Sequence, residues 1–221
     1  MIIVGSSIGG LAAAMRLSTC GINVQIFEKQ SYPGGKIRTK NSAAGLIDSD
    51  PTVLIMHEIF EELFRTYGEH IEDHLELVPK EILARHWWRD GSSLDLFPSF
   101  EKNMVSIIDF SGVRSAKEFE KFNSLSEKLF NLFNEPIIKS PKPKVLPILI
   151  NGIKNGKALY ETLLRQRILY ELLEDNFSDP RLIQLFARYA TYVGDSPFMS
   201  PSILSLIWNV ESKGVWRIKG D

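Results

Sequence analysis

The first 29 residues alternate apolar and polar stretches in an order that predicts a strand, a helix and a second strand. Residues 2–4 form a short apolar run, which is typical of a buried strand. Residues 11–18 are rich in alanine and other small side chains, which favours a helix. Gly21 ends that helix, and residues 24–27 form a second apolar run that predicts another buried strand.

Helical and strand-like patterns continue along the chain. In residues 115–133, apolar side chains recur at steps of three and four residues, which predicts a helix with a buried stripe. The stripe consists of Phe119, Phe122, Leu125, Leu129 and Phe133. Further helices are predicted at 58–67, 101–110, 180–189 and 201–210, and strands at 75–78, 84–88 and 93–97, the last two joined by a hairpin turn at Asp90-Gly91.

Proline-rich residues 140–147 break this pattern. The following stretch, 145–173, combines many apolar side chains with interspersed lysines and arginines. One interpretation is a buried helix whose basic side faces solvent. The other is a monotopic surface that enters the lipid headgroup region without crossing the membrane. The pattern alone leaves both interpretations open.

Composition limits the class of protein. The chain has 221 residues, of which 44% are hydrophobic and 24% are charged, as in a globular protein of one or two domains. A net charge of −1 gives no electrostatic reason to expect nucleic acid binding. Cys20 is the only cysteine, which excludes an intrachain disulfide and makes a reducing compartment plausible. We expect no signal peptide before the first strand, and no membrane-spanning helix, because no apolar run reaches about 18 residues.

The turn between the first strand and the helix predicts dinucleotide binding. It reads Gly-Ser-Ser-Ile-Gly-Gly over residues 5–10, and an acidic residue, Glu28, ends the second strand at a position suited to ribose hydroxyls. Gly5 allows a tight turn, Gly10 allows the helix to pack close to the strand, and the helix N-terminus favours a pyrophosphate. Ser7 stands where this pattern has its middle glycine, so its side chain would either crowd the phosphates or donate a hydrogen bond to them.

A second glycine-rich turn follows the acidic residue. Pro33-Gly34-Gly35 predicts a turn that allows close backbone approach, and Lys36 and Arg38 add positive charge beside it. A solvated loop is the alternative interpretation, but the position of this turn shortly after Glu28 favours a second cofactor loop.

His70 and His74 lie four residues apart without a third nearby histidine or cysteine, so we expect no metal site.

Five segments, taken together and in chain order, resemble the carotenoid (phytoene) desaturase family of FAD-dependent flavoproteins. They read IVGSSIGGLAAAMRL, FEKQSYPGGKIRT, GLIDSDPTVL, DPRLIQLFARYATYVGDSPF and GVWRIKG. The resemblance is strongest to the hydroxyneurosporene or methoxyneurosporene desaturase branch, which introduces the 3,4 double bond into 1-hydroxylated acyclic carotenoids. It covers essentially the whole chain but only the first half of the family's length, so we expect an N-terminal fragment.

The resemblance implies an α/β fold with two parts. Residues 1–74 would form the N-terminal part of a Rossmann-type FAD-binding domain, and 75–221 an α+β substrate-binding region whose residues 145–173 associate with a membrane. The cofactor would be FAD, which accepts a hydride from the substrate. The implied partners are a long apolar carotenoid and a membrane surface, for a cytoplasmic protein peripheral to the membrane.

The resemblance also implies the cofactor contacts by position. The FAD pyrophosphate would lie on Gly5, Ser7, Ile8, Gly9 and Gly10, and the adenosine ribose on Glu28. The cofactor would be lined by Lys29, Gly34, Gly35 and Lys36, with Arg38 nearby. The isoalloxazine would be approached by Pro51, Thr52 and Val53. Asp50 stands where the family usually has glycine, and its carboxylate would oppose negative charge on the flavin. The resemblance assigns no catalytic residue.

Three alternatives remain open. One is a flavin amine oxidase-type enzyme on the same fold. Another is a non-enzymatic prenyl-lipid binder of the Rab GDP-dissociation inhibitor type, which carries no working flavin. The third is a fragment that is inactive alone because it exposes sheet edges and apolar surface.

Overall fold

The computed structural model describes residues 1–49, 53–142, 156 and 167–219. The chain divides into two compact units, Met1–Lys80 with Val215–Asp221, and Glu81–Gly214. This division differs from the sequence-based boundary at 74/75, because the last strand returns to the first unit. The assignment of a substrate-binding role to the second part stays a prediction.

The first unit opens with the predicted strand, helix and strand. These are β1 (Ile2–Val4), α1 (Ile8–Thr19) and β2 (Gln25–Phe27), and the two strands pair in parallel with Ile3 opposite Ile26. The unit continues with β3 (Arg38–Ser42) and β4 (Gly45–Ser49), which form an antiparallel hairpin, then α2 (His57–Tyr67) and β5 (Leu77–Pro79). The last strand, β8 (Trp216–Ile218), pairs antiparallel with β5.

The prediction that β1 and β2 are buried is wrong. Ile2 is 64% exposed, Val4 is 87% exposed and Phe27 is 51% exposed, and α1 contains no buried residue. Parallel strands have continuous apolar sequences because they are normally covered on both faces. Here β1 and β2 form a two-stranded sheet, and the described residues leave these side chains in contact with solvent.

The second unit is mainly helical. The predicted hairpin is present as β6 (Ala84–Trp87) and β7 (Ser93–Leu96). The α-helices given by its described residues include α3 (Phe100–Ser111), α4 (Val113–Phe133), α5 (Leu169–Asn176), α6 (Pro180–Ala187) and α7 (Ile207–Ser212). A π-helical turn (Asn134–Ile138) follows α4. One 3₁₀ segment (Arg188–Val193) follows α6, and another (Ser202–Leu206) precedes α7. The helices predicted at 180–189 and 201–210 are therefore each part α-helix and part 3₁₀-helix.

The predicted stripe of α4 lies in the core of the second unit. Four of its five members are fully buried, namely Phe119, Phe122, Leu129 and Phe133. Leu125 is partly buried against the same core. The ring of Phe119 lies 5.4 Å from that of Trp208 in an edge-on arrangement, which is favourable for aromatic pairs.

The segment 145–173 falls mostly outside the described residues. Residues 145–155 and 157–166 are not described, and the remainder leads into α5. No helix in the described part of the chain is both long and apolar enough to cross a membrane. The predicted membrane-associating role of 145–173 stays a prediction.

Candidate dinucleotide-binding site

The glycine turn after β1 is closely packed. The Gly5 N–H donates to the carbonyl of Phe27 at 2.7 Å, and Gly5 has φ +97°, a conformation that favours glycine. A Cβ placed on Gly10 would lie 2.2 Å from the Gly5 carbonyl oxygen. Only glycine therefore fits at residue 10, as the dinucleotide pattern predicts.

Glu28 ties the end of β2 to this turn. One carboxylate oxygen accepts the Ser6 N–H at 2.7 Å and the Ser6 hydroxyl at 2.8 Å. The other accepts the Gln30 N–H at 2.9 Å. The Gln30 N–H, followed by the two Ser6 donors, lowers the pKa of Glu28 from 4.5 to about 2. Glu28 is thus ionised at neutral pH, and its second oxygen, which accepts one hydrogen bond, has a further lone pair that suits a ribose hydroxyl.

The N-terminus of α1 presents backbone donors. The Leu11 N–H donates to the Ser7 carbonyl at 2.9 Å, so the helical hydrogen-bond pattern starts there. The N–H groups of Gly9 and Gly10 precede that pattern, as is usual in the first turn of a helix. The Ser7 hydroxyl makes no capping hydrogen bond to α1. The turn therefore offers backbone donors at the positive end of a helix, which suits a phosphate.

The second glycine turn lies against the first. The Gly34 N–H donates to the Ser6 carbonyl at 2.8 Å, and Ser7 and Gly34 form an isolated parallel bridge. Gly34 and Gly35 have φ of +113° and +65°, respectively. A Cβ on Gly34 would lie 2.8 Å from the Ile37 carbonyl oxygen, so glycine is needed there as well. The structure thus brings both predicted glycine loops together.

The basic residues predicted near the cofactor are all exposed. Lys29 follows Glu28, and Lys36 lies just beyond the second glycine turn. Arg38 begins β3, where it pairs with Ser49 across the hairpin. Their roles toward a cofactor stay predictions.

Of the residues predicted near an isoalloxazine, only Val53 is described. Asp50, Pro51 and Thr52 lie outside the described residues. Val53 is 53% exposed, and its neighbour Leu54 exchanges backbone hydrogen bonds with Trp216 of β8 at 3.2 and 2.9 Å. The pairing fixes the chain directly after the predicted flavin-facing residues.

A polar cluster in the second unit was missed by sequence reasoning. Glu211 of α7 accepts hydrogen bonds from the Arg188 guanidinium, from the Tyr189 hydroxyl at 3.1 Å and from the Tyr192 hydroxyl at 2.7 Å. Tyr189 is fully buried, and burial followed by the negative charge of Glu211 raises the pKa of both phenols above its ordinary value. Glu211 lies more than a dozen residues from its partners in sequence, so no local pattern reveals the cluster.

His86 lies in β6 of the second unit. Trp88, which directly follows β6, donates its indole N–H to Gln184 of α6 at 3.0 Å, and Arg188 lies four residues after Gln184. Burial, followed by the positive charge of Arg188, lowers the pKa of His86. The His86 Nε2 atom is buried without a hydrogen-bond partner among the described residues. In that part of the chain, no group of three or more His, Cys, Asp or Glu side chains is placed to hold a metal ion.

Comparison with known proteins gives a family relationship. Residues 3–70 match a family described as an NAD(P)-binding Rossmann-like domain. The chain is 42% identical to the hydroxyneurosporene desaturase of Cereibacter sphaeroides over 220 residues, which are 100% of this chain and 44% of the relative. It is 31% identical to the 1-hydroxycarotenoid 3,4-desaturase of Flavobacterium sp. over 217 residues, with 93% of this chain and 42% of the relative covered. The chain is a homologue of these carotenoid desaturases.

The homology confirms the resemblance to carotenoid desaturases, and the fold confirms the predicted fold class. The resemblance to carotenoid desaturases extends along the whole chain, and the chain spans less than half the length of these relatives. A solved structure, putrescine oxidase bound to putrescine, has a TM-score of 0.56 at 13% identity, covering 99% of this chain and 45% of the oxidase. That likeness confirms the α/β fold class alone. The match of residues 3–70 to an NAD(P)-binding Rossmann-like domain implies a nucleotide cofactor.

Proposed function

We propose that the first unit holds the adenosine diphosphate portion of FAD in a carotenoid desaturase. The observation that carries this proposal is the turn in which a Cβ on Gly10 would lie 2.2 Å from the Gly5 carbonyl oxygen. Close packing of this kind brings the start of α1 up to the turn, and the N–H groups of the first turn of a helix favour an anion. The ionised carboxylate of Glu28 lies beside the same turn, where a ribose would follow the phosphates.

Glu28 also supports FAD over NADP. Its pKa of about 2 keeps the carboxylate charged, and a 2′-phosphate on the adjacent ribose would be repelled by it. Ribose 2′- and 3′-hydroxyls instead donate to a carboxylate. The homology to carotenoid desaturases then favours a flavin among the dinucleotides that lack a 2′-phosphate.

Equilibrium titration tests cofactor binding directly. Addition of the purified chain should quench FAD fluorescence saturably, ADP should compete, and NADP should compete much more weakly. Gly10→Ala should abolish the quenching, because the new Cβ displaces the turn. Cys20→Ser, at an exposed position after α1, is the matched control and should bind as the wild type does. Equal binding by Gly10→Ala and wild type would contradict the assignment.

For the whole protein, we propose desaturation of a 1-hydroxylated acyclic carotenoid at the 3,4 bond. Bound FAD would supply the hydride acceptor for this reaction. The support is the homology to desaturases named for hydroxyneurosporene and 1-hydroxycarotenoids. Cells that accumulate hydroxyneurosporene should gain a longer-wavelength carotenoid when given the full-length gene. An unchanged pigment spectrum with soluble, flavin-loaded protein would count against this substrate.

We also propose that residues 145–173 bind a membrane surface peripherally. The support is their sequence, which places Lys154 and Lys157 among apolar residues. Flotation with vesicles tests this: the chain should float with anionic vesicles and less with neutral ones. Lys154→Glu with Lys157→Glu should reduce flotation, whereas Lys139→Glu with Lys142→Glu, outside the segment, should not. A chain that never floats would overturn the proposal.

A further inference from the structure

Ser7 replaces the middle glycine of the first loop, and it lies against the second loop. A Cβ placed on Gly35 would lie 2.8 Å from the Cβ of Ser7 and 3.2 Å from its Cα. The first distance is shorter than packed carbon atoms adopt and the second is unusually tight, so Gly35 fits because it has no side chain. The Ser7 Cβ therefore lies directly over the backbone of Gly35.

Backbone pairing holds the loops in the same register. Ser7 and Gly34 form a parallel bridge, in which the Gly34 N–H donates to the Ser6 carbonyl at 2.8 Å. A glycine at residue 7 would keep these interactions but would leave an empty space beside Gly35. Loss of that contact would let the second loop move, because packed side-chain atoms restrict their neighbours.

We propose that Ser7 is a positioning residue that locks the second glycine loop onto the first, so that the two loops form one preformed ledge for a pyrophosphate. The proposal rests on the proposed function, because the ledge needs a dinucleotide to hold. A preformed ledge binds with a lower cost of ordering than two independent loops. The substitution that weakens the glycine pattern thus adds rigidity between the two loops.

The hydroxyl of Ser7 has a separate role in this arrangement. It makes no capping bond to α1, and Ser7 is exposed, so its O–H is available to donate to a phosphate oxygen. The Cβ and the hydroxyl of one residue therefore do different things. The Cβ sets the position of the loop, and the hydroxyl replaces a close backbone approach with a side-chain donor.

Two substitutions at Ser7 separate these roles. Ser7→Ala keeps the Cβ, so hydrogen exchange at the Gly34 amide should match the wild type, while ADP affinity should fall about three- to tenfold, the value of one hydrogen bond. Ser7→Gly removes the Cβ as well, so exchange at the Gly34 amide should be several-fold faster. Equal exchange in Ser7→Gly and wild type would overturn the positioning role.

A double-mutant cycle with Gly35 gives an independent measurement. Gly35→Ala should weaken ADP binding more than tenfold in the wild-type background, but much less in the Ser7→Gly background, where the closer clash is absent. Gly21→Ala is the matched control, since Gly21 has φ +73° and nothing within 4 Å of an added Cβ. Gly21→Ala should change ADP affinity by the same factor in the wild-type and Ser7→Gly backgrounds.

Additive effects of Ser7→Gly and Gly35→Ala would overturn the inference. A wild-type chain that binds neither ADP nor FAD would instead contradict the proposed function. In that case the Gly34 exchange rates still decide whether Ser7 locks the loops together. The two failures are therefore distinguishable.

Discussion

The carboxylate of Glu28 accepts both the N–H and the hydroxyl of Ser6, at 2.7 and 2.8 Å. These bonds connect the end of β2 to the turn after β1, so the residue predicted to bind ribose also holds the phosphate turn in place. The sequence pattern assigns only the ligand-binding role to this acid. The structure adds a role in the unliganded fold.

The hydrogen bonds at Glu28 predict that the stability of the first unit depends on pH. Its pKa is lowered from 4.5 to about 2 in the folded chain, first by the Gln30 N–H and then by Ser6. A lowered carboxyl pKa stabilises the fold above pH 4.5, and this contribution is lost as the pH falls from about 4.5 toward 2. Glu28→Gln should therefore destabilise the first unit at pH 6, less at pH 3 and least near pH 2, measured by urea unfolding. Glu62→Gln, exposed on α2, is the control, and a Glu28→Gln effect that does not change with pH would contradict the prediction.

Gly9 and Gly10 are adjacent but should respond differently to alanine. A Cβ on Gly10 would lie 2.2 Å from the Gly5 carbonyl oxygen, whereas one on Gly9 would meet nothing within 4 Å. Gly10→Ala should cost about 1–3 kcal/mol of stability through overpacking. Gly9→Ala should be neutral or stabilise α1 by up to about 1 kcal/mol. Thermal unfolding measures both, and equal destabilisation would show that packing against Gly5 is not the cause.

The same pair separates folding from binding. Gly9→Ala leaves the protein contacts intact but adds a methyl group at the exposed start of α1. If a pyrophosphate lies there, this variant should fold normally and bind FAD more weakly. Normal binding by Gly9→Ala would place the phosphate away from Gly9.

Local patterns explain why much of the first unit was predictable. The turn at Gly5, the helix after it and the second strand depend on neighbours a few residues apart. The prediction that β1 is buried is wrong. An apolar strand sequence indicates a strand that is suited to being covered on both faces, but the described residues do not cover β1. The pairing of β5 with β8 joins residues 77 and 218, and no pattern within either segment identifies its partner.

The polar cluster around Glu211 should be important for the stability of the second unit. Its carboxylate pairs with Arg188 and accepts two tyrosine hydroxyls, and the Glu211 side chain is only 8% exposed. Glu211→Gln would leave the partly buried Arg188 without its charge partner, at a cost of about 3 kcal/mol. Glu135→Gln, which breaks the exposed pair with Lys139, should cost less than about 0.5 kcal/mol. Urea unfolding measures the loss of unfolding free energy in both variants. Similar losses would show that the Glu211 cluster contributes no more to stability than an exposed ion pair does.

His86 should make the second unit sensitive to mild acid. Burial and the charge of Arg188 lower its pKa below the ordinary value of 6.5, although Glu211 and Asp95 act in the opposite direction. A histidine with a lowered pKa stays neutral in the folded chain and becomes charged on unfolding, so it lowers stability as the pH falls below about 6.5.

Replacement of His86 removes this proton uptake. His86→Leu should therefore flatten the loss of stability between pH 7 and pH 5.5, measured by urea unfolding followed through tryptophan fluorescence, since three of the four tryptophans lie in the second unit. Its buried Nε2 atom has no hydrogen-bond partner among the described residues, so leucine should cost little at pH 7. His70→Leu, at an exposed histidine of the first unit, should leave the slope unchanged. A His86→Leu chain that loses stability with acid as steeply as the wild type would assign the pH dependence to other groups.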